Sequence, residues 1–111
     1  MSRATGPERP VQVQVAHEDR DALRTMIETL IGERLLACGQ ILGPVSSTYV
    51  WEGEMQHAQE WLALLKTRAD AAGRLVARVR ELHSYETPEI ILLEVTGGYA
   101  PYLEWVAAQT S

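Results

Sequence analysis

The side chains best suited to chemistry fall into two groups along the chain. One short segment carries an imidazole, a phenol and two carboxylates, and the return strand of a predicted hairpin carries a carboxylate and an ammonium group: His83, Tyr85, Glu86 and Glu89, then Glu60 and Lys66. Neutral imidazole suits copper or zinc, and paired carboxylates perform acid–base chemistry when their pKa values differ. We expect every member of this set except the imidazole to line one polar cleft.

The same residues also have a purely structural interpretation, in which salt links and the Tyr85 hydroxyl lock the loop. A tight metal site needs several ligands, and His83 is the one histidine of its segment. His17 and His57 have polar sequence neighbours, so we expect both on the surface. The sequence around Ser46-Ser47 is no nucleophile elbow, and no glycine pattern suggests a phosphate loop, so we predict no enzyme.

The composition is that of one small acidic globular domain. The 111 residues carry a formal net charge of −5, which disfavours binding to a phosphate backbone. Cys38 is the single cysteine, so no intramolecular disulfide is possible. The start of the sequence lacks an apolar signal-peptide core, and no apolar run reaches the roughly 20 residues that span a bilayer. We expect a cytoplasmic protein with no nucleic-acid and no membrane partner.

A long hairpin must position the second group of residues. Two apolar segments, Leu35–Trp51 and Trp61–Thr67, flank a polar insert at Glu52–Glu60 that we expect to join them. The nearly continuous apolar run at Trp61–Leu65 predicts a strand buried on both faces. Gly43-Pro44 interrupts the first segment, which predicts a bulge or a sheet edge there.

The other segments alternate between strand and helix patterns. Before the hairpin they predict a strand at Val11–Val15 and a helix over Leu23–Ile31, which Asp19 or Asp21 caps and which need not end before Leu35. After the hairpin they predict a helix over Asp70–Leu82, a buried strand at Ile90–Leu93 and a last helix near Pro101–Gln109. This order predicts the α+β class: a ferredoxin-like βαββαβ sandwich with an extra C-terminal helix and a long hairpin between its second and third strands. We expect a flexible tail at residues 1–10 and one domain at residues 11–111.

Four segments in register resemble the CutA family of divalent-cation tolerance proteins. They are Glu33–Cys38, Ser47–Gly53, Lys66–Arg68 and, above all, His83–Ile90. The resemblance covers nearly all of the chain between Val11 and Trp105. It implies the same ferredoxin-like fold and a tight homotrimer that is similar to the PII signalling proteins. The polar cleft would then lie between subunits.

The resemblance also implies a metal role for His83, because the histidine at this position is assigned to copper in some members. Other positions depart from the family pattern. Some members place a metal-binding cysteine at the end of the first strand, where this chain has Val15. Ser84 replaces a common proline, Gln40 replaces an asparagine-like residue, and Gly43-Pro44 reverses the usual order.

Two classes of function follow. The first is a trimeric, cytoplasmic tolerance protein that binds copper or another divalent metal ion weakly. The second is a PII-like regulatory or scaffold trimer that binds a small molecule or a protein partner in its inter-subunit clefts. Neither class requires catalysis.

Overall fold

The computed structural model describes residues 2–3 and 5–110 of the chain. Its strands and helices are β1 (Ser2–Arg3), β2 (Pro10–His17), α1 (Arg20–Gly32), β3 (Cys38–Trp51), β4 (Glu54–Arg68), a 3-10 turn (Ala69–Ala71), α2 (Ala72–Leu82), β5 (Ile90–Glu94), β6 (Gly97–Gly98) and α3 (Ala100–Gln109). In this described part, no helix is both long and apolar enough to cross a membrane.

The main sheet has four antiparallel strands in the order β3-β4-β2-β5. Helices α1 and α2 pack on one of its faces, where their apolar stripes form a single core with alternate residues of β2 and β4: Val13, Val15, Leu23, Met26, Ile27, Leu30, Leu36, Ala63, Leu65, Leu75 and Val79. The two short strands β1 and β6 form a separate antiparallel pair. The predicted ferredoxin-like sandwich with an extra C-terminal helix is therefore confirmed.

Helix α1 begins and ends where local hydrogen bonds replace its missing partners. Asp19, one of the two predicted caps, accepts hydrogen bonds from the amides of Asp21 and Ala22 at 2.9 and 3.2 Å. The sequence left open whether the helix continues from Gly32 towards Leu35, and the structure ends it at Gly32. Arg34 has a φ of 59°, and the Leu35 amide bonds back to the Leu30 carbonyl, so the last turn closes in a left-handed C-terminal cap.

The hairpin is longer than the sequence predicted. The polar insert Glu52–Glu60 is not a connection, because pairing continues out to Trp51 and Glu54. Only Glu52 and Gly53 form the turn, with φ of 52° and 78°, as a two-residue hairpin turn requires. The insert extends as strand because backbone pairing satisfies its amide groups while its polar side chains face water. The break predicted at Gly43-Pro44 is confirmed as a shift in register on an edge strand.

Two strands expected to be buried on both faces are half exposed in the single chain. Within β4, Ala63 and Leu65 are buried, whereas Leu62 and Leu64 are only partly covered. Three residues of β5 are also exposed: Ile91, Leu92 and Leu93. Helices α1 and α2 lie on one face of the sheet. Helix α3 covers one end of the opposite face, where Tyr102 Oη lies 3.8 Å from Cys38 Sγ and Arg68 Nη1 donates to the Ala107 carbonyl. We call the remainder of this opposite surface the helix-free face.

The start of the chain was expected to be a flexible tail over residues 1–10, of which Met1 and Ala4 lie outside the described residues. Strand β1 pairs with Gly97–Gly98. The carbonyl groups of Pro7 and Arg9 accept hydrogen bonds from the amides of Asp70 and Ala69 at 2.9 and 2.8 Å. Flexibility of this segment stays a prediction, as does the domain boundary at residue 11.

Candidate functional site

A cleft of about 730 Å³ lies between the outer half of the hairpin and the loop that follows α2. Four of the five predicted cleft residues line it: Glu60, Tyr85, Glu86 and Glu89. Strand β3 contributes the aromatic side chains of Tyr49 and Trp51. Glu60 pairs with Val45 in the ladder and shares its face of β4 with Leu62 and Leu64. The cleft therefore opens on the helix-free face.

Lys66 is the predicted cleft residue that the structure places elsewhere. It lies six positions after Glu60 along β4, which separates the two by roughly 20 Å. Its Nζ donates a hydrogen bond to Gln40 Oε1 at 2.8 Å, near the other end of the sheet. The sequence assigned both residues to one strand correctly, but an extended strand keeps them far apart.

Tyr85 holds the inner end of the cleft. Its hydroxyl accepts a hydrogen bond from the Glu18 amide at 2.8 Å and donates one to Glu60 Oε2 at 3.2 Å. Burial raises the pKa of the Tyr85 hydroxyl to about 12, the nearby carboxylates of Glu60 and Glu18 add to this rise, and the Glu18 amide opposes it. At neutral pH the phenol is therefore a hydrogen-bond donor and not a base.

His83 is buried at the start of the loop, and both of its ring nitrogens are occupied. Nε2 lies 2.8 Å from the Ala16 carbonyl and must donate to it, while Nδ1 accepts a hydrogen bond from the Tyr85 amide at 3.1 Å. The ring is therefore the neutral tautomer protonated at Nε2. As folded, it offers no free lone pair to a metal. Metal binding by His83 stays a prediction, and it requires the ring to release the Tyr85 amide.

His17 also belongs to this cluster of side chains, although the sequence did not predict it there. It was expected on the surface, but only 5% of it is exposed, and its ring lies 4.5 Å from that of His83 and 5.0 Å from that of Tyr85. The signal was present, because positions 11, 13, 15 and 17 share one face of strand β2. The polar residues that follow His17 belong to the N-terminal cap of α1. Because of these polar neighbours, the alternating pattern was not extended to His17.

Hydrogen bonds fix the orientation of the His17 ring as well. Nδ1 accepts from the Asp19 amide at 2.8 Å, and Nε2 lies 3.1 Å from Ser84 Oγ. Burial lowers the pKa of His17, and the neighbouring His83 lowers it further. The carboxylates of Asp19, Glu18 and Glu60 oppose that shift.

The loop itself is tied to the sheet and to α2. Gln14 Nε2 donates to Glu89 Oε2 at 3.0 Å, and Arg80 Nη2 donates to the Glu86 carbonyl at 3.1 Å. His57, by contrast, is exposed on the hairpin as expected, where its Nδ1 lies 3.1 Å from Thr48 Oγ1. Within residues 2–3 and 5–110, no group of three or more histidine, cysteine, aspartate or glutamate side chains is placed to hold a metal ion.

Comparison with known proteins identifies the family. The family model described as "CutA1 divalent ion tolerance protein" matches residues 11–109. The chain belongs to the CutA1 family. A divalent-cation tolerance protein CutA from Thermus thermophilus is 39% identical over 98 residues, which are 88% of this chain and 95% of that protein.

A solved structure and a plant relative support this assignment. The solved structure of the divalent cation tolerance protein from Thermus thermophilus has a TM-score of 0.88 and 36% identity, and the match covers 92% of this chain and 99% of that chain. The chloroplastic protein CutA of Arabidopsis thaliana is 36% identical over 100 residues, or 90% of this chain. This chain spans about half of that plant protein, 55% of its length.

Proposed function

We propose that this protein acts in tolerance to divalent cations as a cytoplasmic homotrimer that binds copper or a related metal ion weakly. The observation that carries the proposal is the family match over residues 11–109, since that family is described by tolerance to divalent ions. The family description names a tolerance protein, not an enzyme, and we accordingly propose binding rather than catalysis.

The helix-free face supports self-assembly. An antiparallel sheet whose second face meets water normally alternates apolar and polar residues. Here that face carries a set of aliphatic side chains that no other element of the chain covers fully: Leu42, Leu62, Leu64, Ile91 and Leu93. Three of them are 39–49% exposed. Together with the aromatic residues of the hairpin, they form the kind of contiguous apolar surface that marks an interface.

Assembly of several chains would also allow the single loop histidine, His83, to take part in a metal site. One chain supplies no group of three ligands among its described residues, so a site with several ligands would draw them from more than one subunit. His83 lies behind the cleft and contacts Tyr85, which lines it, so subunits that met at the cleft would lie close to His83. Imidazole from the loop and carboxylates from a neighbouring subunit are ligands that copper and zinc accept.

Calorimetric titration of Cu(II) into the wild type and into His83→Ala tests the metal role. We expect weak binding by the wild type and its loss in the variant. His57→Ala is the matched control, because His57 is exposed on the hairpin and does not line the cleft. Equal binding by wild type and His83→Ala would refute the assignment of the metal to His83. Absence of binding by the wild type would refute the metal role altogether.

A regulatory trimer is the second candidate function, and the cleft favours it. Its volume of about 730 Å³ matches that of sites for small molecules. A thermal-shift screen against divalent metals and against nucleotides separates the two candidates. Stabilisation by metals alone supports the tolerance role, and stabilisation by an organic ligand that survives a chelator supports the regulatory role.

The proposed cytoplasmic location needs its own test. The lone Cys38 suits a reducing compartment, because a protein stabilised by disulfides needs pairs of cysteines. One plant relative is named as chloroplastic, which is a different compartment from the one proposed here. Cell fractionation with an antibody against the native protein gives the answer, and recovery with a membrane or secreted fraction would refute the proposal.

A further inference from the structure

Glu60 is the most buried carboxylate of the cleft, and none of the described residues gives it a counter-charge. Only 9% of the residue is exposed, yet a carboxylate has two oxygens and about four acceptor positions to satisfy. The Tyr85 hydroxyl donates to Oε2 at 3.2 Å. The described residues offer Oε1 no donor. Every fully buried side-chain oxygen in this described part has a partner, so Oε1 must open into the cleft.

No cation within the described residues lies in ion-pair distance of Glu60. The lysine of its own strand, Lys66, is bonded to Gln40. A carboxylate that protein covers on most sides is stabilised when a positive charge pairs with its open oxygen. Glu60 Oε1 therefore suits a cation that the described residues do not supply.

The walls of the cleft indicate what kind of cation fits. Tyr49 and Trp51 provide aromatic surfaces, Glu86 and Glu89 provide two further carboxylates, and neither lysine nor arginine lines the cleft. Aromatic faces attract ammonium and guanidinium groups, and they also pack against aliphatic chains. A bare divalent metal ion would instead require several oxygen or nitrogen ligands on one centre, and the described residues form no such group.

We infer that the cleft binds a small organic cation of the alkylamine class, with its ammonium group on Glu60 Oε1 and its carbon chain against Tyr49 and Trp51. The acidic pair at Glu86 and Glu89 then suits a second ammonium group, so a diamine fits better than a monoamine. This inference rests on the ligand-binding role of the cleft, the second candidate function. It is independent of the metal role.

Calorimetric titration with 1,5-diaminopentane tests the inference. The neutral 1,5-pentanediol has a similar chain without charge, so we expect the wild type to bind the diamine and not the diol. Glu60→Gln keeps an oxygen for the Tyr85 hydroxyl and removes the charge, and we expect it to weaken diamine binding at least tenfold. Glu54→Gln is the control, because Glu54 is exposed at the hairpin turn and outside the cleft. It should bind like the wild type.

A second variant keeps the test valid if Glu60→Gln folds poorly. Trp51→Leu removes an exposed aromatic wall and leaves every carboxylate in place, and we expect it to weaken diamine binding several-fold. Equal diamine binding by wild type and Glu60→Gln, or equal binding of diamine and diol, would overturn the inference.

Two results separate this inference from the proposed function. Stabilisation by nucleotides with no diamine binding would overturn the alkylamine ligand and leave the regulatory role standing. No diamine binding combined with a weaker trimer in Glu60→Gln would also overturn it, because the cation would then come from a lysine or arginine of a second copy. Light scattering of the same two proteins measures that second effect.

Discussion

The imidazole rings of His17 and His83 lie in contact, with centroids 4.5 Å apart and planes inclined by 36°. They belong to two segments that are far apart in sequence, the end of β2 and the loop after α2. Each ring is held by a backbone amide two residues further on, which donates to its Nδ1. The pair lies behind the cleft, where the edge-on ring of Tyr85 completes the cluster. A positive charge on either ring would disturb a packed and hydrogen-bonded arrangement.

Stability should therefore fall in mildly acidic solution because of His17. Its pKa is lowered in the folded protein, mainly by burial and then by His83, although Asp19, Glu18 and Glu60 oppose the shift. Between that lowered pKa and the unfolded value of 6.5, the unfolded chain binds more protons, so the free energy of unfolding rises with pH. This contribution is complete above pH 6.5 and is lost as the pH falls below it.

His17→Asn is the variant that checks this pH dependence. Asparagine retains an acceptor for the Asp19 amide but does not titrate. Urea unfolding at a fixed protein concentration, repeated from pH 7.5 to pH 5, should show a shallower loss of stability in the variant than in the wild type. Parallel curves would mean that His17 is not the group responsible.

Removal of the Tyr85 hydroxyl should destabilise the protein. Tyr85→Phe leaves the Glu18 amide without its acceptor and Glu60 without its donor. We expect the free energy of unfolding to fall by about 1–3 kcal/mol, the range for an unsatisfied buried polar group. Tyr99→Phe is the control, because Tyr99 is 75% exposed, and it should change stability by less than about 0.5 kcal/mol. Chemical denaturation measures both, and equal effects would contradict the role of the hydroxyl.

Close packing of α1 on β3 should make Gly39 intolerant of a side chain. A Cβ at Gly39 would lie 2.8 Å from the side chain of Ile27, which is itself buried. We expect Gly39→Ala to destabilise the fold by about 1–3 kcal/mol through overpacking. Gly73→Ala on α2 meets nothing within 4 Å and should stabilise by up to about 1 kcal/mol. Thermal or urea unfolding compares them, and a neutral Gly39→Ala would show that the contact relaxes freely.

A charge on the helix-free face should disrupt the proposed trimer. Ile91 is 45% exposed on edge strand β5, so Ile91→Lys leaves the single chain able to fold while it places an ammonium group in the interface. Light scattering after gel filtration should give a mass near three chains for the wild type and near one chain for the variant. Ala77→Lys on the exposed side of α2 is the control and should remain a trimer.

The light-scattering masses also test whether the cleft lies between subunits. A wild type with a mass near one chain at micromolar concentration would refute the assembly and any cleft between subunits. A trimer unaffected by Ile91→Lys would place the interface elsewhere, away from β5.

Local patterns were sufficient to predict most of the fold. Alternation at Val11–Val15 and the apolar stripes of α1 and α2 specify which side of each element faces the core, because strand and helix periods differ. Turn chemistry located the bulge at Gly43-Pro44. The polar insert misled the prediction at Glu52–Glu60, since polar side chains are compatible with an exposed paired strand as well as with a loop.

By itself, the sequence determined the order of the elements, the acidic charge and the residues whose types could carry chemistry. Only the tertiary structure decided which of those residues meet. It brought Glu60 to Tyr85 and separated Lys66, because distance along an extended strand is fixed while the loop after α2 folds back over the sheet. It also buried His17 against His83 and occupied all four of their ring nitrogens. Such contacts depend on where two distant segments cross, and no local periodicity encodes that position.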